Sequence, residues 1–196
     1  QGNHYFCEFQ GFMIQWGSLA NVFWISAMAY HLYHWIALKK NEEKLNKKMR
    51  KTAIFSICIS FLISIIMVGA GVFGKATMWC WIKDKYQWVR FVFFYGIVII
   101  AWIYVIYILS KVGTAVSGGP RLSFRKSAKL ALAGTGIQFK IRQYIFVFIF
   151  TWFFGLLNRI VEAAIGHPVF ATSVLHALFV PLQGFLNSLV YGGLLI

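Results

Sequence analysis

Five apolar runs separated by polar, mostly basic segments set the pattern of this chain. They lie near residues 12–38, 53–73, 88–109, 141–165 and 169–196. A helix rises about 1.5 Å per residue and a bilayer core is about 30 Å thick, so each run is long enough to cross it. The runs lack the ten-residue alternation of a membrane barrel, and a span in lipid must satisfy its backbone hydrogen bonds internally. The pattern predicts an all-α membrane protein, a five-helix transmembrane bundle forming a single domain over residues 1–196.

Polar residues inside the runs fall on helical faces. Gln15, Ser18 and Ser26 lie within about 80° of one another at about 100° per residue, and this face is expected to point inward. The first run ends in Tyr30, His31, Tyr33 and His34. On the fourth, Arg159 and Glu162 have the i, i+3 spacing of a helical pair, beside Asn158. On the fifth, His176, Gln183 and Asn187 share a face, and Pro181 removes a backbone donor and loosens the helix. Each has a plainer reading: interhelical hydrogen bonds for Gln183 and Asn187, snorkelling to headgroups for Arg159, and a satisfied bundle histidine for His176. The aromatic run Phe91, Phe93, Phe94, Tyr95, Trp102, Tyr104 and Tyr107 reads as mostly lipid-facing, with Tyr104 and Tyr107 the inward members. Between the spans, residues 41–51 are expected to form a short interfacial turn or helix. GTAVSGGP at 113–120 is a breaker cluster, and the fourth helix is expected to begin below the membrane.

Composition agrees. With 60% hydrophobic and 12% charged residues, the chain cannot hide its apolar surface in one soluble core. A net charge of +14 would suggest nucleic acid in a soluble protein, but here the basic residues are sorted between spans. Lys39, Lys40, Lys44, Lys47, Lys48, Arg50 and Lys51 fill one connection. Lys111, Arg121, Arg125, Lys126, Lys129, Lys140 and Arg142 fill another. By the positive-inside rule these two connections are cytoplasmic, the N-terminus lies outside and the C-terminus inside. The basic residues then meet anionic inner-leaflet lipids, and no nucleic-acid partner is expected. Ser117, Ser123 and Ser127 sit in the second basic connection as candidate phosphorylation sites.

On this topology Cys7 and Cys80 both fall on the oxidising side, where a disulfide is permitted; the bridge is the favoured reading and two separate thiols the alternative. Cys58 lies within the second span as a small apolar side chain. The cysteine spacings fit no zinc pattern, and no metal or cofactor is expected. A haem would need two histidines at matching depth, whereas His31 and His34 lie near one membrane face and His176 near the other. Only five acidic residues occur, with no phosphate loop, zinc-binding helix or nucleophile elbow, so no catalytic residues and no enzyme are expected. The chain starts without Met or a cleavable leader and reads as an excised piece.

Several segments carry a family resemblance. CEFQGF (Cys7–Phe12) and AYHLYHW (Ala29–Trp35) resemble the two ends of the third helix of a G-protein-coupled receptor, and MWCWI (Met78–Ile82) the outer segment before the fifth. FGLLNRIVEAAIGHPVFATSVLHALFVPLQGFLNSLVYG (Phe154–Gly192) is similar to the sixth and seventh helices of the cyclic-AMP-receptor-like receptors. Its PLQGFLNSLVY part also resembles the seventh helix of secretin-type and adhesion receptors. The resemblance implies a receptor that passes an extracellular ligand signal to a heterotrimeric G protein, with helices three to seven present and the first two lacking. It implies a Cys7–Cys80 bridge and a seventh-helix hinge at Pro181, Gln183, Gly184 and Asn187. It also implies a G-protein surface bordered by His31, His34, Lys39 and Lys140. A ligand would meet Gln15, Arg159, Glu162 and His176. The acidic-Arg-Tyr triplet of rhodopsin-type receptors is absent, AYHLYHW standing in its place, so that family's ionic lock does not carry over. A transporter or channel subunit, or a structural subunit of a membrane assembly, is the alternative. A transporter would show a polar path through the full depth and inverted repeats, neither of which is visible.

Overall fold

The computed structural model of the chain describes residues 2–38, 40, 42–76, 79–117 and 126–192. Two compact units divide it, Gln1–Ile108 and Leu109–Ile196. Among the described residues four helical segments are long and apolar enough to cross a membrane: Glu43–Gly69, Asp84–Thr114, Arg142–Ile165 and Phe170–Gly192. The protein is a multi-pass, all-α membrane protein. The first helix, α1 (Gly2–Ile36), has the length to span as well.

In the first unit α1 packs along α2 (Glu42–Gly69). Among the buried positions of α1, Gln15, Leu19, Val22, Ile25, Ala29 and Leu32 have the three-and-four spacing of one helical face. The matching face of α2 carries buried Ser56, Ser60 and Ser64 at intervals of four. Each of these hydroxyls donates to the carbonyl four residues back, at 2.9, 2.8 and 2.8 Å, so none is left unsatisfied in an apolar setting. Small side chains let two helices approach closely where lipid supplies no hydrophobic drive between them. The opposite face of α2 exposes Ile54, Phe55, Ile57, Cys58, Phe61, Leu62, Ile65 and Ile66. Cys58 thus stands on an apolar surface suited to lipid. The interfacial helix expected at 41–51 is not separate: from Glu42 onward its residues form the first turns of α2.

After α2 the chain turns through Gly71 into a two-stranded antiparallel hairpin, β1 (Phe73–Lys75) and β2 (Cys80–Ile82), with Phe73 opposite Ile82 and Lys75 opposite Cys80. Strands of three residues carry no readable period, so this pair was invisible in the hydrophobic pattern. A continuous helical run follows: a 3₁₀ turn Asp84–Tyr86, α3 (Gln87–Arg90), a π-helical turn Phe91–Tyr95, and α4 (Gly96–Ser117). Phe94 and Tyr95 are buried against Trp81, whereas Tyr107, expected inside, is exposed.

The second unit is an antiparallel pair, α5 (Lys126–Ile165) and α6 (Phe170–Gly192). As expected, α5 begins well before its apolar part. It ends at Gly166, whose φ of 80° places it in the left-handed region and whose N–H donates to the Glu162 carbonyl at 2.9 Å. Glycine takes this conformation without the Cβ penalty of other residues, and Pro168 then prevents the helix from continuing. Ile145, Val147, Phe148 and Trp152 of α5 and Val190 of α6 are buried. Phe154 stacks on Phe179 with ring centroids 4.1 Å apart. Lys39 and Ser123 lie outside the described residues.

Candidate functional site

Near the α5–α6 turn the second unit buries a polar cluster built on Asn158. Its side-chain carbonyl accepts from the Thr172 hydroxyl at 2.7 Å and from Ser173 at 3.3 Å. With that oxygen facing two hydroxyls, the amide nitrogen faces His176 Nδ1 at 3.3 Å and donates to it. This arrangement places the imidazole proton on Nε2, the neutral tautomer in which Nδ1 accepts. His176 fits because position 155 is glycine: a Cβ there would stand 3.2 Å from Nε2. Immediately after Asn158 on α5, Arg159 pairs with Glu162 one turn on, both side chains buried. Two opposed charges in one small volume leave little net charge, which is how such groups are tolerated away from water.

Deeper in the unit Trp152 Nε1 donates to Gln183 Oε1 at 3.0 Å, both side chains buried. The indole only donates, so it fixes which end of the amide faces it. Gln183 Nε2, turned the other way, has no partner among the described residues. Asn187 lies one turn on along the same face, its buried Oδ1 equally without one. Pro181 and Gly184 occupy the exposed face, and α6 runs through Pro181 without a break. At the far end Lys140 Nζ donates to the Tyr191 carbonyl at 3.0 Å, a cation set against a helix C-terminus.

The first unit holds its own polar junction. Cys7 and Cys80 form a disulfide that ties the start of α1 to β2. Beside it, buried Trp81 donates from Nε1 to Gln15 Oε1 at 2.9 Å, and Gln15 Nε2 donates to the Phe93 carbonyl in the π turn at 3.3 Å. Arg90, only 1% exposed, donates from Nε to the Ile82 carbonyl at 3.0 Å and pairs with Asp84 at 2.6 Å, which fixes the hairpin against α3. Toward the other end of α1, His31 Nε2 meets Thr52 Oγ1 at 3.3 Å. His34 Nδ1 donates to the Tyr30 carbonyl at 3.0 Å and its ring lies 3.9 Å from that of Tyr30. Lys48 donates to the Tyr30 hydroxyl at 2.7 Å.

The residues expected to meet a ligand thus fall in both units: Gln15 in the first, Arg159, Glu162 and His176 in the second. Within the second, Arg159 and Glu162 bind each other and His176 binds Asn158. Sequence reading missed Trp81, Trp152, Thr172, Ser173 and Arg90 as members of these networks. A signal existed for Trp81, adjacent to a paired cysteine, and for the hydroxyl pair one turn before His176. Among the described residues no group of three or more His, Cys, Asp or Glu gathers to hold a metal.

Comparison with known proteins bears on what these networks serve. Residues 1–193 match the family described as slime mold cyclic AMP receptor. The chain is 26% identical to cyclic AMP receptor 4 of Dictyostelium discoideum, over 94% of this chain and 40% of that protein. To cyclic AMP receptor 2 of the same organism it is 27% identical, over 94% and 48%. To G-protein coupled receptor 1 of Arabidopsis thaliana it is 23% identical, over 96% and 59%. The chain therefore spans less than half the length of these two cyclic AMP receptors. No solved structure matches it.

Proposed function

We propose, because the chain belongs to the slime mold cyclic AMP receptor family, that it forms the signal-transducing helices of a G-protein-coupled receptor in the plasma membrane. Its N-terminus lies outside and its C-terminus in the cytoplasm. The match over residues 1–193 carries this reading. The Cys7–Cys80 bridge supports the orientation, since a disulfide persists on the oxidising side. The basic loops 39–51 and 111–142 then face the cytoplasm and its anionic lipids.

An extracellular ligand binds one helix arrangement better than another and shifts the population toward it. The residues proposed to respond to it are Gln15 in the first unit and Arg159, Glu162 and His176 in the second. Cyclic AMP, named in the relatives, is the first ligand to test. The helix around Pro181 and Gly184 bends, the Gln183 and Asn187 face repacks, and the cytoplasmic ends near His31, His34, Lys39 and Lys140 open for a helix of a heterotrimeric G protein. The chain binds and transmits; it does not catalyse.

Guanine-nucleotide exchange tests this. Membranes carrying the complete product of the encoding gene, with a co-expressed G protein, are expected to exchange nucleotide faster when cyclic AMP is added. Exchange equal to that of membranes lacking the protein, with and without cyclic AMP, would overturn the reading.

A further inference from the structure

Gln15 joins three elements through one amide. Its Oε1 accepts from Trp81 of the hairpin and its Nε2 donates to the Phe93 carbonyl of the π turn, while the side chain itself sits fully buried on α1. A π turn is rare because its hydrogen bonds reach five residues rather than four, and it persists where the surroundings favour it. Here two features do so. One is the amide held on Phe93. The other is Gly96, whose N–H bonds the Phe91 carbonyl and where a Cβ would stand 2.9 Å from that same oxygen. Any larger residue at 96 pushes against backbone, and the ordinary α-helix relieves the push.

We propose that Gln15 is a latch coupling the hairpin to the π turn, so that moving the hairpin lets Phe91–Tyr95 relax toward α-helix and turns α4 by about one residue, roughly 100° and 1.5 Å. The hairpin is well placed to drive this. Its end is tied to α1 by the Cys7–Cys80 bridge, and Arg90 holds the Ile82 carbonyl just before the π turn, so a shift at Trp81 reaches the helix at two points. Phe94 and Tyr95, packed on Trp81, move with the turn. The role as an outside-to-inside relay rests on the receptor reading above. The coupling itself does not.

Amide hydrogen exchange on the purified chain in lipid nanodiscs, with no ligand and no G protein, tests the coupling apart from the receptor reading. Gln15→Met keeps the side-chain length and removes both hydrogen bonds. It is expected to speed exchange at least tenfold in 72–82 and to alter it in 91–97, where five-residue bonds give way to four-residue ones, with 145–162 and 173–183 unchanged as the control for global folding. Gly96→Ala, whose added carbon meets only Phe91 within 4 Å, is expected to speed exchange in 72–82 at least fivefold. In the double variant the hairpin is expected to exchange no faster than in Gln15→Met alone, since the latch is already open. Faster exchange confined to the hairpin in Gln15→Met, an unmoved hairpin in Gly96→Ala, or additive effects in the pair would each overturn the proposal.

Discussion

Replacing Asn158 with leucine removes the centre of the buried cluster between α5 and α6. Asn158 accepts from Thr172 at 2.7 Å and from Ser173 at 3.3 Å, and donates to His176 at 3.3 Å. Interhelical hydrogen bonds in membrane proteins average about 0.6 kcal/mol and reach about 1.7. One short and two long bonds therefore amount to about 2 kcal/mol. Part is recovered, because Thr172 also reaches the Val169 carbonyl at 3.1 Å. His176 Nδ1 loses its amide donor in a buried site, which raises the cost again. The expected net loss is about 1.5–2 kcal/mol, a ten- to thirtyfold shift in the unfolding equilibrium. Reversible unfolding in mixed micelles measures it. A double-mutant cycle with His176→Phe isolates the Asn158–His176 term, expected near 0.6 kcal/mol. Stability within 0.3 kcal/mol of the parent, or a cycle that is strictly additive, would refute the claim that Asn158 organises this pair of helices.

Other outcomes follow from the same structure. Cys7→Ser is expected to leave Cys80 open to a membrane-impermeant maleimide added to intact cells, and to destabilise the hairpin by about 2–4 kcal/mol, read as faster proteolysis between residues 70 and 84. Ser60→Leu forces a large side chain into the fully buried α1–α2 seam and is expected to cost about 1–3 kcal/mol in thermal unfolding, whereas Cys58→Leu on the exposed face is expected to change stability by less than about 0.5. Lys140→Ala removes an exposed bond to the Tyr191 carbonyl and is expected to cost under about 1 kcal/mol while speeding amide exchange over the last turn of α6.

The spans were legible because a bilayer imposes length: four of the five apolar runs map directly onto helices that can cross it. The Cys7–Cys80 bridge was legible because charge sorting put both residues on one side of the membrane. Arg159 with Glu162 was legible because i, i+3 neighbours must meet on a helix. What escaped depends on long-range geometry. Trp81 reaches Gln15 across 66 positions and Trp152 reaches Gln183 across 31, and no local spacing announces either pair. The hairpin is too short for a period. Tyr95 read as lipid-facing but is buried beside Trp81, and Tyr107 read as inward but is exposed. Arg90 carries no local signal of its role, yet it is buried and donates to Ile82 and Asp84.

The central claim is that the chain transmits a ligand signal to a G protein, and the most direct measurement is guanine-nucleotide exchange on a G protein co-expressed with the complete gene product. Exchange that rises with added cyclic AMP, and falls in the Asn187→Leu variant at equal surface expression, is the expected result. Exchange indistinguishable from membranes lacking the protein, at every cyclic AMP concentration including none, would contradict it.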